Sequence, residues 1–154
     1  MLKVRDIMTT ELITVSPEME VVQATKLLLE NRINGVPVTD ETGKLVGVLC
    51  QSDLIAQQKK LPIPSFFTLL NGLIPLISKK NIEKQVQKIA AITVAQAMTA
   101  NPVTVQPDMK IEEVAALMVD RNFHTVPVVD EGELVGIVGK EDMLRTLITI
   151  SEAK

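Results

Sequence analysis

The chain has 154 residues, 46% of them apolar and 23% charged, a balance that supports one packed soluble domain and excludes a disordered chain. Sixteen basic against 19 acidic residues leave a formal charge of −3, and the aromatics are only Phe66, Phe67 and Phe123, which disfavours nucleic-acid binding through a basic face or a base-stacking platform. One cysteine, Cys50, and one histidine, His124, exclude an intramolecular disulfide and leave too few ligands for a Cys/His zinc site; a reducing, cytoplasmic setting is expected, with no metal.

The first ten residues, MLKVRDIMTT, are charged early and hold no apolar run of signal-peptide length. From there the chain repeats itself. MTTELITVSPEMEVV at 8–22 matches MTANPVTVQPDMKIE at 98–112 at an offset of 90 positions, and NRINGVPVTDETGKLVGVLCQSDL at 31–54 matches RNFHTVPVVDEGELVGIVGKEDM at 121–143, the offset falling to 89 past the turn near Gly43. Val21, Ala24, Thr25 and Leu28, and Ile111, Val114, Ala115 and Met118, follow the i, i+3, i+4, i+7 spacing of a helix with one buried face. Ser16-Pro17 and Gln106-Pro107 precede these stripes, so proline is expected in the first helical turn, with Glu18 and Asp108 favoured there by the helix dipole. VPVTD and KLVGVLC, then VPVVD and ELVGIVG, read as strand pairs joined by short glycine turns, with Pro37 and Pro127 at strand starts or edges. A further helix opens near Ser52-Asp53 and again near Glu141-Asp142.

The expected fold is α+β: tandem β-α-β-β-α repeats, residues 1–55 and 94–154, packed as a pseudo-twofold pair because a unit of about 50 residues is marginal alone. Residues 56–93 belong to neither copy. They carry six lysines against the single acidic Glu83, and Phe66, Leu69, Leu70, Leu73, Ile74 and Ile77 form an apolar helical stripe broken near Gly72 and Pro75. This helical insert is expected on the module or at a homodimer interface; alternatives are peripheral attachment of 61–78 to an anionic membrane, and a lid or effector-binding surface. Pro62, Pro64, Pro75 and Gly72 disfavour a spanning helix.

Asp53 and Asp142 are candidate ligand anchors, since a carboxylate accepts both hydroxyls of a cis-diol while helix-start N–H groups attract phosphate. Both are equally suited to capping the helices they begin, and the two roles are compatible. His124 suits either a charge-switching contact or a hydrogen-bonded strand entrance. Lys140 offers a cation beside Asp142, or a solvated helix-start lysine. A Cys50/His124 thiolate pair lacks a third orienting residue, and Cys50 reads better as a small apolar residue ending a strand; nothing points to an enzyme.

VRDIMTTELITVSP, NGVPVTD and GVLCQSDLI, repeated as VAQAMTANPVTVQP, HTVPVVD and GIVGKEDML, resemble the cystathionine-beta-synthase-type (CBS) domain family, twice and in order. The resemblance implies a paired regulatory module, a Bateman module, whose inter-repeat clefts take adenosine ligands such as AMP, ADP, ATP or S-adenosylmethionine. In the family motif a glycine precedes a Thr or Ser that meets phosphate and an Asp that holds ribose. Those positions are Gly47, Cys50 and Asp53, and Gly136, Gly139 and Asp142, so neither hydroxyl is present. Carried over by position, one cleft joins Gly139, Lys140 and Asp142 to Ser16, Val21, Ile33, Asn34 and Gly35. The other joins Cys50 and Asp53 to Gln106, Ile111, Phe123, His124 and Thr125. The implied protein is a non-catalytic homodimeric sensor that signals ligand occupancy to an effector protein and requires no cofactor; a ligand-free interaction module and a membrane adaptor are the alternatives.

Overall fold

In the computed structural model, which describes residues 2–60 and 92–152, the helical stripes and strand pairs form where their periodicities place them. The first half contributes α1 (Val4–Ile7), α2 (Val21–Glu30), β1 (Gly35–Thr39), β2 (Leu45–Cys50) and α3 (Gln51–Lys60). The second contributes α4 (Val94–Ala97), β3 (Thr99–Ala100), α5 (Ile111–Arg121), β4 (Thr125–Asp130), β5 (Glu133–Gly139) and α6 (Lys140–Glu152). The apolar stripe expected at 66–77, the rest of the proposed insert from 61 to 91 and the candidate membrane segment 61–78 lie outside the described residues. No helix among the described residues is long and apolar enough to cross a membrane.

Each hairpin is antiparallel, with Val36 opposite Leu49 and Val126 opposite Val138. Both carry a register shift one step after the second valine, at Val38/Thr39 and at Val128/Val129. The turns are closed by Gly43 (φ 85°) and Gly132 (φ 83°), in the left-handed region that favours glycine. In the first turn Asp40 Oδ1 accepts from the backbone N–H of Thr42 (2.9 Å) and of Lys44 (3.0 Å), and from the Thr42 hydroxyl (2.6 Å). These bonds, the Thr42 hydroxyl first, hold its carboxyl below its ordinary range.

The two hydrophobic cores are not two separate halves of the chain. One gathers Val15, Val21, Ala24, Leu28, Val36, Val38 and Leu49 of the first half but also Val94 and Ala97 of the second. The other gathers Val105, Val114, Val126, Val128 and Val138 but also Val4. Each short N-terminal arm has crossed to the other repeat. β3 pairs antiparallel with β2, Thr99 opposite Val48 and Ala100 opposite Gly47, and Thr9 pairs antiparallel with Ile137 of β5.

The Ser16-Pro17 and Gln106-Pro107 dipeptides are the docking points of these arms, not first helical turns. The chain turns at each, Met19 N–H donating to the Ser16 carbonyl (3.2 Å) and Met109 N–H to that of Gln106 (3.1 Å), and the helices begin later, at Val21 and Ile111. The Pro17 carbonyl then accepts from Ala95 N–H (2.9 Å) and the Pro107 carbonyl from Arg5 N–H (3.0 Å). Asp108, outside the helix, pairs with Arg5 of the arm instead of complementing the dipole. Pro37 and Pro127 stand within β1 and β4, and their carbonyls accept the N–H of Val15 (3.1 Å) and Val105 (3.0 Å) at single parallel bridges.

The arms pass so close to β2 and β5 that only glycine fits below them. A Cβ on Gly47 would lie 2.5 Å from Met98 Sδ and 2.9 Å from the Thr99 carbonyl oxygen; one on Gly136 would lie 2.7 Å from Met8 Sδ and 3.1 Å from the Thr9 carbonyl oxygen. Methionine can yield, but the backbone carbonyls cannot without unpairing the arm. Gly47→Ala and Gly136→Ala are each expected to cost about 1–3 kcal/mol of stability in chemical denaturation, Gly47→Ala the more, and a neutral result at both would remove this account of the glycines.

Candidate functional site

Where β2 ends, the chain enters α3 without a loop, and the same happens between β5 and α6. The third residue of each helix is the aspartate singled out by the sequence. Asp53 Oδ2 accepts the Cys50 N–H (2.8 Å) and Asp142 Oδ2 accepts the Gly139 N–H (2.8 Å), so both carboxylates satisfy a backbone donor at the head of their helix. The crossed arm adds a second contact. The Thr99 hydroxyl donates to Asp53 Oδ1 (3.2 Å) and the Thr9 hydroxyl to Asp142 Oδ1 (3.2 Å). The capping reading is therefore realised at both positions, and each carboxylate still faces a cleft between the repeats.

The first cleft, of about 210 Å³, combines Gly139, Lys140 and Asp142 with Ile33, Asn34 and Gly35. The second, of about 340 Å³, combines Cys50 and Asp53 with Phe123, His124 and Thr125. Asn34 and Thr125 line both and form their common wall. There the repeats touch: a Cβ on Gly35 would lie 3.1 Å from both Cys50 Sγ and Thr125 Oγ1. The first backbone N–H of each helix extends the hairpin before it by one bond, Gln51 donating to the Asn34 carbonyl (2.9 Å) and Lys140 to the His124 carbonyl (3.0 Å).

Four expected residues stand away from the clefts. Ser16 and Gln106 are exposed at the turns that receive the arms, Val21 is inside a core, and Ile111 is half-buried at the start of α5. The early wall comes instead from Glu11 and Ile13 in the first cleft and from Asn101, Pro102 and Val103 in the second. Thr9 and Thr99 were also missed, although the signal existed: both follow the methionine that opens each copy of the repeat. Arg32 and Asn122, one at each cleft, take left-handed backbone (φ 53° and 56°) at the ends of α2 and α5. Asparagine tolerates that conformation and arginine does so less readily. Arg121 lines the second cleft and Arg145 the first.

Comparison with known proteins returns one family. Its sequence profile, described as the CBS domain, matches residues 4–60 and 94–149. The uncharacterized protein MJ1426 of Methanocaldococcus jannaschii is 32% identical over 155 residues, spanning 94% of this chain and 90% of that one. The chloroplastic CBS domain-containing protein CBSX1 of Arabidopsis thaliana is 31% identical over 149 residues, but this chain spans 62% of its length. Among solved structures, CBSX2 in complex with AMP superposes with a TM-score of 0.74 at 28% identity, covering 98% of this chain and 99% of that one. The CBS domain pair of MJ0100, in complex with 5′-methylthioadenosine and S-adenosylmethionine, gives a TM-score of 0.68 at 29% identity, covering 95% and 99%.

Cys50 lies in the second cleft with His124, yet its chemistry runs against a thiolate. Burial first, and the Asp53 charge second, push its thiol up from 9.0 to about 11. Since the folded value is the higher one, the thiol's contribution to stability is whole below about pH 9 and is lost as pH rises through about 11. At pH 8 iodoacetamide is expected to alkylate the native chain roughly 100-fold more slowly than the unfolded chain, from the thiolate fractions alone. Rapid native alkylation with a midpoint near neutrality would instead show a thiolate stabilised by His124.

Proposed function

The chain belongs to the CBS domain family, and from that premise we propose that it is a non-catalytic regulatory module that binds an adenosine-containing ligand in the Asp53 cleft. The observation that carries this reading is the state of the Asp53 carboxylate. One oxygen is committed to the Cys50 N–H, while the other, among the described residues, holds only the 3.2 Å bond from Thr99 and opens into the larger cavity. That oxygen has lone-pair capacity for a ribose cis-diol. Phe123, Val48, Pro102 and Val103 supply apolar contact for a base, and Arg121 and His124 supply the donors for a phosphate. With Cys50 in place of a hydroxyl, the contribution of these two residues to phosphate affinity is the larger. The complexes of CBSX2 with AMP and of MJ0100 with 5′-methylthioadenosine and S-adenosylmethionine support the ligand class.

A ligand seated there touches α3 of one repeat and Phe123 and His124 of the other, so it bridges them. Binding then shifts their packing by as much free energy as its affinity differs between the two arrangements. Signalling passes to a partner through the helices that follow the aspartates. Ile55 of α3 and, on α6, Leu144, Leu147 and Ile148 are all more than half exposed, apolar surface suited to a second copy of the chain in a homodimer.

Calorimetry is the suitable measurement, because the chain has no Trp or Tyr. AMP or S-adenosylmethionine at 100 times its dissociation constant is expected to add about 2.7 kcal/mol of stability. Asp53→Ala is expected to lower the unliganded stability by about 1 kcal/mol through the lost cap, and to remove the ligand-induced gain altogether. No gain with any adenosine compound would favour the ligand-free interaction module.

A further inference from the structure

The two aspartates occupy equivalent positions but do not have equivalent neighbours. Asp142 is 7% exposed, and its Oδ1 receives, besides the Thr9 hydroxyl, the guanidinium of Arg145 from one turn further along α6. The residue in the same place after Asp53 is Ala56, which brings no donor. Arg145 also lines the first cleft, the smaller of the two. An acceptor atom already holding a charged donor and a hydroxyl has little capacity left for a diol, and displacing the arginine would leave a buried carboxylate without its cation.

We infer that Arg145 is a built-in occupant of the first cleft's ribose-binding position, so that each chain binds one adenosine ligand, in the Asp53 cleft, while the Asp142 carboxylate is kept occupied by a side chain of its own helix. The inference rests on the proposed function and adds to it the asymmetry of the two sites. Arg145 has room to leave: a separate cavity of about 220 Å³ shares Asp142 and Arg145 and is bounded by Asp6 of α1, a second carboxylate for the guanidinium. The proposed gate is closed where Arg145 stands on Asp142 and opens if the guanidinium swings toward Asp6, whose Oδ2 also accepts the Lys3 N–H (2.8 Å).

Isothermal titration of the full chain with AMP, and separately with S-adenosylmethionine, reads the number of sites directly. Wild type is expected to bind one ligand per chain. Arg145→Ala, at an exposed helical position that alanine suits, is expected to bind two, with the second site at least about tenfold tighter than any residual second site in wild type. The reciprocal variant, Ala56→Arg, places the same guanidinium beside Asp53 and is expected to abolish the first site. A single cooperative unfolding transition in both variants, even at a lower temperature for Arg145→Ala because Asp142 loses its cation, keeps the result separate from misfolding. One ligand per chain in both wild type and Arg145→Ala, or two in wild type, overturns the gate and leaves the proposed function standing. Binding only in Arg145→Ala supports the gate and overturns the assignment to the Asp53 cleft. No binding to any of the three proteins overturns both.

Discussion

Everything that faces the clefts depends on the crossing of the two N-terminal arms. Val4 donates its N–H to the Met109 carbonyl (2.9 Å) and Val94 donates to that of Met19 (2.8 Å), and the side chains of the same two valines are fully buried in the opposite cores. A unit of about 50 residues buries too little apolar surface to be stable alone. Exchanging arms makes each core a joint property of both halves, and neither repeat can complete itself without the other. The exchange also places Thr99 on Asp53 and Thr9 on Asp142. The polar furniture of each cleft therefore depends on the contact that completes each core.

The local elements were legible because local rules decide them. The 3.6-residue spacing from Val21 to Leu28 and from Ile111 to Met118, and the glycine turns at Gly43 and Gly132, match the helices and hairpins that form. Pro17 and Pro107 were misread because proline suits a first helical turn and a β-turn equally, and only the incoming arm, 78 residues away at Ala95 or 102 away at Arg5, decides between them. Ser16, Val21, Gln106 and Ile111 were placed at the clefts by carrying the family resemblance over by position, and the lining falls instead on the segments ahead of the prolines, Glu11 and Ile13 in one cleft and Asn101 to Val103 in the other. A pairing between residues so far apart leaves no periodic signature in either partner, whereas the aspartates, whose capping bonds span three residues, were found at once.

The capping role of those aspartates sets a limit on any ligand they would hold. A capping carboxylate contributes roughly 0.5–2 kcal/mol to its helix, so a ligand that uses the same group must leave the Oδ2 bond to Cys50 or Gly139 in place and take what remains on Oδ1. At Asp53 that remainder is shared, among the described residues, only with a hydroxyl, a weak and rotatable neighbour. At Asp142 it is shared with a guanidinium as well. Two motifs that are nearly the same in sequence are therefore unlike in the one property a ribose would sense, and the difference originates in a residue outside both motifs.

Transmission has its own constraint at the wall between the clefts. Gly35 and Thr125, counterparts at the offset of 90, meet there with Cys50 so closely that a Cβ on Gly35 would press on both side chains at 3.1 Å. Such a contact cannot be compressed gradually, since packed interiors deform little before they rearrange. A ligand that draws Asp53 and His124 together must either fit this spacing or shift one repeat against the other as a body. Because Asn34 and Thr125 belong to both clefts, any such shift is felt in both. The small residue at 35 lets the walls of the two repeats touch, so a change of packing at one cleft meets the wall of the other directly, at Asn34 and Thr125.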